Sequence, residues 1–163
     1  RQTFRGHVDS VNSVVFQPYS NILCTGSGDK TVSLWDMRSG LCVQTFYGHQ
    51  NAVSHVSFNV KGDSIISSDA DGVVKIWDVR GVGEKANFKC AGAQAVNESR
   101  IDRSGRVAAL ASDDGTVKIF STTDGKHLGD LEGHEDAVQS VLFDPNGQFL
   151  ISASSDQTFR IWS

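Results

Sequence analysis

The chain lacks the long apolar runs of membrane proteins and the basic runs of nucleic-acid-binding proteins. Its 163 residues contain no apolar stretch near the ~18 residues that a membrane helix requires. They also contain no basic run that could neutralise phosphates: the net charge is −4, and acids and bases are interspersed. We therefore predict no membrane partner and no nucleic-acid partner.

Cysteine is scarce, and its pattern excludes two further classes. The three cysteines, Cys24, Cys42 and Cys90, are odd in number and form no CxxC pair. This argues against a disulfide framework and against a zinc site, and reduced thiols are typical of a cytoplasmic protein. No motif indicates a cofactor, so we expect none.

Helical periodicity and low-complexity tracts are absent as well, and short β-type runs stand in their place. Runs rich in Val, Ile, Phe and Trp alternate with turn residues, which predicts an all-β fold. In the second part of the chain we predict strands over 41–46, 53–58, 64–68 and 73–77. Asp71-Gly72 fits a tight turn, because glycine adopts positive φ without steric cost.

One set of residues recurs along the chain at a fixed period. A Gly-His pair is followed by a hydroxyl residue, an aspartate and a tryptophan, and the aromatic position recurs after 42, 43 and 42 residues. A period of about 40–45 residues with these signatures is typical of β-propeller blades. The sets are His7, Thr25, Asp29 and Trp35; His49, Ser67, Asp71 and Trp77; and His134, Ser152, Asp156 and Trp162.

The third repeat has lost most of this set. Ala91-Gly92 replaces Gly-His, Leu110 replaces the hydroxyl residue, Phe120 replaces the tryptophan, and only Asp114 remains. Its strand pattern persists over 107–111 and 116–120. We therefore predict a degenerate blade that is held by packing, without an internal hydrogen-bond chain, and that is the least rigid of the four.

These residues resemble the WD-repeat family of β-propellers over essentially the whole chain. The resemblance implies four four-stranded blades, from repeats at about 5–46, 47–88, 89–131 and 132–163. It also implies a stagger, in which each repeat supplies the outer strand of one blade and three inner strands of the next. Residues 1–4 match the segment before the later Gly-His pairs, so we predict an outer strand there and a chain that belongs to a longer propeller. This strand belongs either to a blade outside the chain or to the last blade, where it would close the ring.

The same resemblance implies that each His, hydroxyl, Asp and Trp set forms a structural hydrogen-bond chain, and that the function is protein binding. A catalytic Ser-His-Asp site is needed once, whereas this set occurs three times, and the three histidines lie in different blades, which argues against a shared metal. The family's contact face comprises the Gly-His loops and the Asp turns. Carried over, its positions are Ser10, Asn12, Gly28, Ala52, Ser54, Ala70, Ala95, Asn97, Asp113, Ala137, Gln139 and Ser155.

None of these contact positions is aromatic or arginine, the types that dominate interface energies. Other residues at the rim are alternative anchors: Arg5, Tyr19, Arg38, Tyr47, Arg80 and Arg103. We expect a non-catalytic interaction scaffold. A substrate-recruiting adaptor of a ubiquitin ligase or signalling complex is an alternative, and a hydrolase that uses one His-Ser-Asp set is an alternative of another class.

A narrower resemblance concerns the setting in the cell. The segments GSGDKTVSLWDMRSGLCVQTFYGH and SSDADGVVKIWDVR and the terminal RIWS resemble the C-terminal propeller of an axonemal central-apparatus WD-repeat protein of the sperm-associated antigen type. This implies a cytoskeletal setting in a cilium or flagellum. Four blades of this family do not close a ring, so we also predict apolar end faces, covered by further blades or by a second copy of the chain.

Overall fold

The described part of the chain is built from short antiparallel strands. The computed structural model describes residues 2–90 and 95–163. Three sheets contain four strands each: β1 (Val11–Phe16) to β4 (Leu41–Tyr47) with β2 (Ile22–Ser27) and β3 (Thr31–Asp36) between; β5 (Val53–Phe58), β6 (Ser64–Asp69), β7 (Val73–Asp78) and β8 (Gly83–Lys89); and β9 (Val96–Ile101), β10 (Val107–Ser112), β11 (Val117–Ser121) and β12 (His127–Leu131). The fourth contains β13 (Val138–Phe143), β14 (Leu150–Ser154) and β15 (Phe159–Trp162).

The all-β prediction is confirmed, and the strands of the second repeat differ from the predicted ones by at most one residue at each end. Two details differ. The fourth sheet has three strands rather than four. Residues 2–4 form no strand; instead the Phe4 ring packs edge-on against Trp35, with the centroids 6.1 Å apart. The predictions at Arg1 and at Ala91-Gly92 lie outside the described residues.

The first three sheets pack face to face through one aromatic pair at each of their two junctions. Phe46 of β4 lies against Trp77 of β7, with ring centroids 5.4 Å apart, and Phe88 of β8 stacks on Phe120 of β11 at 4.6 Å. Trp77 is 3% exposed. Because burying an aromatic ring stabilises a fold by roughly 2–3 kcal/mol, these contacts join neighbouring blades. They explain why an aromatic residue is kept even where the third repeat has lost its tryptophan.

The inner strands are joined by a second, polar system that the sequence reasoning missed. At the third position of β1, β5 and β9, a side chain accepts a hydrogen bond from a backbone N–H of the next sheet. Val56 N–H donates to Ser13 Oγ at 3.2 Å, and Ser99 N–H donates to His55 Nδ1 at 3.3 Å. Val141 N–H donates to Glu98 Oε2 at 3.1 Å. The donors would otherwise be unsatisfied at the junctions, so these bonds fix the register of each sheet on the next.

Both ends of this row of sheets expose apolar side chains. On the first sheet, Val14 and Phe16 are each 62% exposed. On the fourth, Phe159 is 71% and Ile161 60% exposed. The corresponding residues of the inner sheets, such as Val56 and Ile76, are buried between neighbours. The two end faces therefore present the apolar surface that the interior sheets bury.

Candidate functional site

In the first and fourth sheets, each recurrent set forms one continuous hydrogen-bond chain. Trp35 Nε1–H donates to Thr25 Oγ1 at 2.7 Å, Thr25 Oγ1 lies 2.7 Å from His7 Nε2, and His7 Nδ1 lies 2.8 Å from Asp29 Oδ2. A direction that satisfies every group runs from indole to hydroxyl to imidazole to carboxylate. The fourth sheet repeats this with Trp162, Ser152, His134 and Asp156 at 2.8–2.9 Å.

The turn aspartates are held ionised by the groups around them. Burial favours the neutral carboxyl of Asp29, but hydrogen bonds from Thr31, from His7 and from the Val8 N–H outweigh it and lower the pKa to about 2. For Asp156, the hydrogen bond from Thr158 is the main cause of a pKa far below its usual range. In both turns the threonine hydroxyl lies 2.6 Å from the aspartate Oδ1. The threonine therefore fixes the carboxylate that holds the histidine.

The second sheet corrects one predicted residue. His49 Nδ1 lies 2.9 Å from Asp69 Oδ2, not from Asp71, while Ser67 and Trp77 occupy their predicted places at 2.7 and 2.8 Å in the chain. Asp71 is exposed and accepts a hydrogen bond from Asn51 Nδ2 at 3.0 Å. The aspartate in the hydrogen-bond chain of the second sheet is thus two residues earlier than the repeat spacing predicts.

Two substitutions between the repeats account for the exchange. The residue two places before the turn aspartate is Ser27 in the first sheet, but it is Asp69 in the second, and its longer side chain reaches the histidine. The residue two places after the turn aspartate is Thr31 in the first sheet, but it is Val73 in the second, so no hydroxyl fixes Asp71. Asp69 also caps the turn, since the Asp71 and Val73 N–H groups donate to its Oδ1 at 3.0 Å.

The degenerate third sheet is not without internal polar contacts, contrary to our prediction. Lys118, almost fully buried, places Nζ 2.8 Å from Asp114 Oδ2 and 3.6 Å from Asp130 Oδ2, and His127 lies 2.7 Å from Asp130. Burial opposes the shift, but the Lys118 hydrogen bond lowers the pKa of Asp114 to about 2. An ion-pair network thus stands in for the histidine chain; the lower rigidity of this sheet remains a prediction.

The geometry of the intact sets resembles a Ser-His-Asp relay but buries its hydroxyl. Ser67 is 0% and Ser152 1% exposed, and each oxygen already accepts the indole N–H. A nucleophile needs an open path to a carbonyl, and these buried oxygens have none. Each of the three histidines has its tryptophan partner, whereas the hydrolase hypothesis requires one without it.

The predicted contact positions lie at one end of the sheets, on the Gly-His loops, at the starts of the inner strands and on the turns between second and third strands; we call this the loop face. None of the twelve is fully buried. Three of them also serve the sheet junctions: Asn12, Ser54 and Asn97 donate to the carbonyl oxygens of Val53, Val96 and Val138 at 2.9, 3.3 and 2.9 Å. Gln139 donates to Ser155 Oγ at 2.9 Å.

A charged cluster at the junction of the second and third sheets was not predicted. His55 lies 3.6 Å from Glu98, and the Arg100 guanidinium bonds Glu98 Oε1 and, at 2.9 Å, Ser57 Oγ. Burial and, more weakly, Arg100 lower the pKa of His55 to about 4 despite Glu98. The neutral ring can then accept the Ser99 N–H, so His55 is a junction residue.

Residues 2–90 and 95–163 contain neither a membrane-spanning helix nor a cluster of metal ligands. No helix there is long and apolar enough to cross a membrane. In the same ranges, no group of three or more His, Cys, Asp and Glu side chains is arranged to hold a metal ion.

Comparisons with known proteins agree with the repeat pattern. The family model for the WD domain, G-beta repeat, matches residues 1–36, 40–78 and 125–163, and most of the degenerate repeat lies outside the matched ranges. Periodic tryptophan protein 2 of Saccharomyces cerevisiae is 46% identical over 98% of the chain and 17% of its own length. THO complex subunit 3 of Arabidopsis thaliana is 29% identical over 97% of the chain and 50% of its own length.

A third relative, nuclear distribution protein nudF 1 of Talaromyces marneffei, is 33% identical over 99% of the chain and 40% of its own length. The chain thus spans half or less of the length of these three relatives. The matched repeats, the antiparallel sheets and the His–hydroxyl–Asp–Trp chains agree, and the chain belongs to the WD-repeat family.

Proposed function

We propose that the chain is a non-catalytic protein-interaction scaffold. The observation that carries this proposal is the state of the three histidine sets: every polar atom in them is bonded within its own sheet, and the hydroxyls are buried. Within these three sets no acid, base or nucleophile is left over for chemistry, and their polar groups serve to hold the blades rigid. WD-repeat proteins in general bind other proteins through such a framework.

The loop face is the surface that we propose for the partner. A rigid sheet positions short loops there, and rigid loops bind at a low cost in conformational entropy. Its contact side chains are small or polar, and several are fixed by hydrogen bonds to the neighbouring sheet. Such a surface suits a broad, shallow contact with a folded protein better than capture of a peptide in a deep pocket, which an adaptor of a ubiquitin ligase would need.

A pair of triple variants tests this assignment. Ser10→Arg, Ala70→Arg and Ser155→Arg together place three bulky cations on the loop face at exposed positions. Ser20→Arg, Val60→Arg and Gln148→Arg place the same charge on the turns at the opposite end, also at exposed positions. We expect quantitative affinity capture from the native cells to lose a set of proteins with the first variant and to retain it with the second.

The outcome that would contradict the loop face is retention of the same proteins by both variants. Loss by both variants would point to misfolding, so each is first compared with the native chain by circular dichroism and urea unfolding. Turnover of a small substrate that a single histidine change abolishes without loss of fold would instead favour the hydrolase.

The cellular setting that we propose is a cytoskeletal assembly, and the narrower form is the ciliary central apparatus. The narrower form is supported by the resemblance of residues 26–49, 67–80 and 160–163 alone, since none of the three relatives named above carries a name that refers to an axoneme. A tagged copy in a ciliated cell tests it. Signal retained on the axoneme after detergent extraction is expected, and a fully extracted diffuse signal would defeat the ciliary setting while leaving the scaffold proposal intact.

A further inference from the structure

Each junction between sheets inside the chain is formed by two different faces. One sheet contributes apolar side chains of its second and third strands, and the next sheet receives them with its first strand. At the first junction the contributing residues are Cys24, Val32 and Leu34, all buried. The receiving residues of β5 are Val53, Val56 and Phe58, also buried. We call these two surfaces the contributing face and the receiving face.

The fourth sheet has an uncovered contributing face. Its Ile151, Phe159 and Ile161 are exposed, and they lie at the repeat positions of the contributing residues of the first sheet. In the third sheet the same positions hold residues that pack against the fourth sheet, namely Ala109, Val117 and Ile119. The fourth sheet therefore presents the apolar surface that each interior sheet buries against its neighbour.

The first sheet has an uncovered receiving face. Its Val11, Val14 and Phe16 are exposed, and they lie at the repeat positions of the receiving residues of β5. A cleft of about 660 Å³ opens on this face, and its lining includes Val11, Val14, Leu23 and Trp35. The equivalent residues of the second sheet are buried against the first sheet. The cleft is thus the space that a contributing face fills at the first interior junction.

The polar groups of the two open faces match as well. At the interior junctions the third residue of an inner strand accepts an N–H of the next inner strand, as Ser13 does at 3.2 Å. Ser140 of β13 occupies this acceptor position, and the Val14 N–H of β1 occupies the donor position. Gln139 occupies the position of Asn12, whose amide donates to a carbonyl oxygen of the next sheet at 2.9 Å. Contact between the two faces would give each of these groups a partner.

The third strand of the fourth sheet also has a free edge. Within the described residues β15 pairs with β14 alone, whereas β3 also pairs with β4, where Val32 lies opposite Phe46. Phe46 packs at the same time on the tryptophan of the next sheet. Phe4 packs on Trp35 in the corresponding way, although residues 2–4 form no strand. Residues 2–4 are therefore placed to pair with β15 of a fourth sheet that covers the first sheet.

We propose that two copies of the chain associate head to tail, so that the fourth sheet of each copy packs on the first sheet of the other. The contributing face fills the cleft, Ser140 Oγ accepts the Val14 N–H of the other copy, and residues 2–4 of that copy add to β15 as its fourth strand. Two such junctions are identical and close a ring of eight sheets, within the range of about four to eight blades known for propellers.

A second copy is the occupant because the chain itself carries both halves of one junction. Pairing of like faces would place two receiving faces together and would leave the Val14 N–H of each copy without Ser140. The assembly leaves the exposed turns of the loop face open, so it is independent of the partner that we propose there.

A complementation experiment tests the head-to-tail order. Val14→Arg blocks the receiving face alone and Ile161→Arg blocks the contributing face alone, and both side chains are exposed in the single chain. By sedimentation velocity we expect the native chain to form pairs and each variant by itself to remain a single chain. The two variants mixed should pair through the one junction that stays intact. This pairing should be roughly a hundredfold weaker than that of the native chain, because the second junction no longer adds its effective concentration.

Val60→Arg, in an exposed turn of the second sheet, is the matched control and should pair like the native chain. A second pair of variants, Val11→Arg and Phe159→Arg, repeats the test, and urea unfolding verifies that each variant is folded. A native chain that stays single at every concentration would overturn the proposal and leave the end faces to further blades of the same protein. Pairing by either folded variant alone, which requires like faces to associate, or a mixture that remains single chains would overturn it as well.

Discussion

At the residue scale, Asp69 rather than Asp71 holds the histidine of the second sheet. We predict that Asp69→Ala lowers the free energy of unfolding by about 1–3 kcal/mol, because it leaves a buried imidazole N–H and two turn N–H groups without their acceptor. Asp71→Ala removes an exposed contact with Asn51 and should change stability by less than about 0.5 kcal/mol. Equilibrium urea unfolding of the two variants checks this. A loss of stability for Asp71→Ala as large as that for Asp69→Ala would contradict the assignment of Asp69 as the partner of His49.

Val82 is a second residue-scale case, since it is a β-branched residue with φ of +51° in the β7–β8 turn. The corresponding residues are Gly40 and Gly125, with φ of +75° and +67°. Left-handed backbone costs a side-chain-bearing residue about 1–2 kcal/mol. Val82→Gly should therefore raise the melting temperature by a few degrees.

Val60→Gly is the matched control for that prediction. Val60 is as exposed as Val82, at 51%, but it is not among the residues with positive φ. Glycine there should leave the melting temperature unchanged or lower it, because the unfolded chain gains freedom without relief of strain. A fall in melting temperature for Val82→Gly as large as that for Val60→Gly would argue against a strained turn.

At the scale of elements, the junction between β5 and β9 should make stability sensitive to acid. The folded-state pKa of His55 is about 4, below its ordinary value of 6.5, chiefly because of burial. Between those values the unfolded chain binds more protons than the folded chain, so stability falls as the pH falls from about 6.5 to 4. The pKa of His49, also lowered by burial, acts in the same direction.

Urea unfolding midpoints measured from pH 7 to pH 4 test this junction. The native chain should show a falling midpoint, and His55→Gln, which keeps an acceptor for the Ser99 N–H without a titrating group, should show a smaller fall. Below pH 4 both should lose further stability as carboxylates such as Asp29 and Asp114, with pKa values of about 2, become protonated. The same pH slope in both proteins above pH 4 would show that His55 does not report on the junction.

The strands were predictable because their signal is local. The apolar runs around Val56, Ile66 and Ile76 and the intervening turns define three strands without any knowledge of their neighbours. The aspartate that binds His49 was not predictable from the sequence, because Asp69 and Asp71 lie in the same turn. Val73 has no hydroxyl that could fix Asp71, and Asp69 is the one that reaches the histidine.

The contacts between sheets were hidden for a different reason. In the sequence, Ser13, His55 and Glu98 look like ordinary solvent-facing residues of strands. Their hydrogen-bond partners lie about one repeat away in the sequence. Likewise, Lys118 reads as a solvated residue until Asp114 and Asp130 are placed beside it.

At the scale of the whole molecule, the most informative feature is the pair of apolar end faces, on the first and fourth sheets. The interior sheets bury the apolar residues whose equivalents the end sheets expose. In β13, Gln139 and Ser140 occupy the positions whose counterparts in β1, β5 and β9 form hydrogen bonds to the next sheet. We infer that the end faces accept further blades, either from the same protein or from a second copy of this chain. The scaffold proposal therefore concerns a binding module that functions in association with other protein.

Sedimentation velocity of the isolated chain over a range of concentrations, with binding of an apolar dye followed in the same samples, tests this most directly. Contiguous exposed apolar surface drives association, so we predict a concentration-dependent shift to a species of two chains, with dye bound at low concentration and displaced as the species forms. A monodisperse monomer at high concentration that binds no dye would contradict the open end faces and the view of the chain as a module completed by other protein.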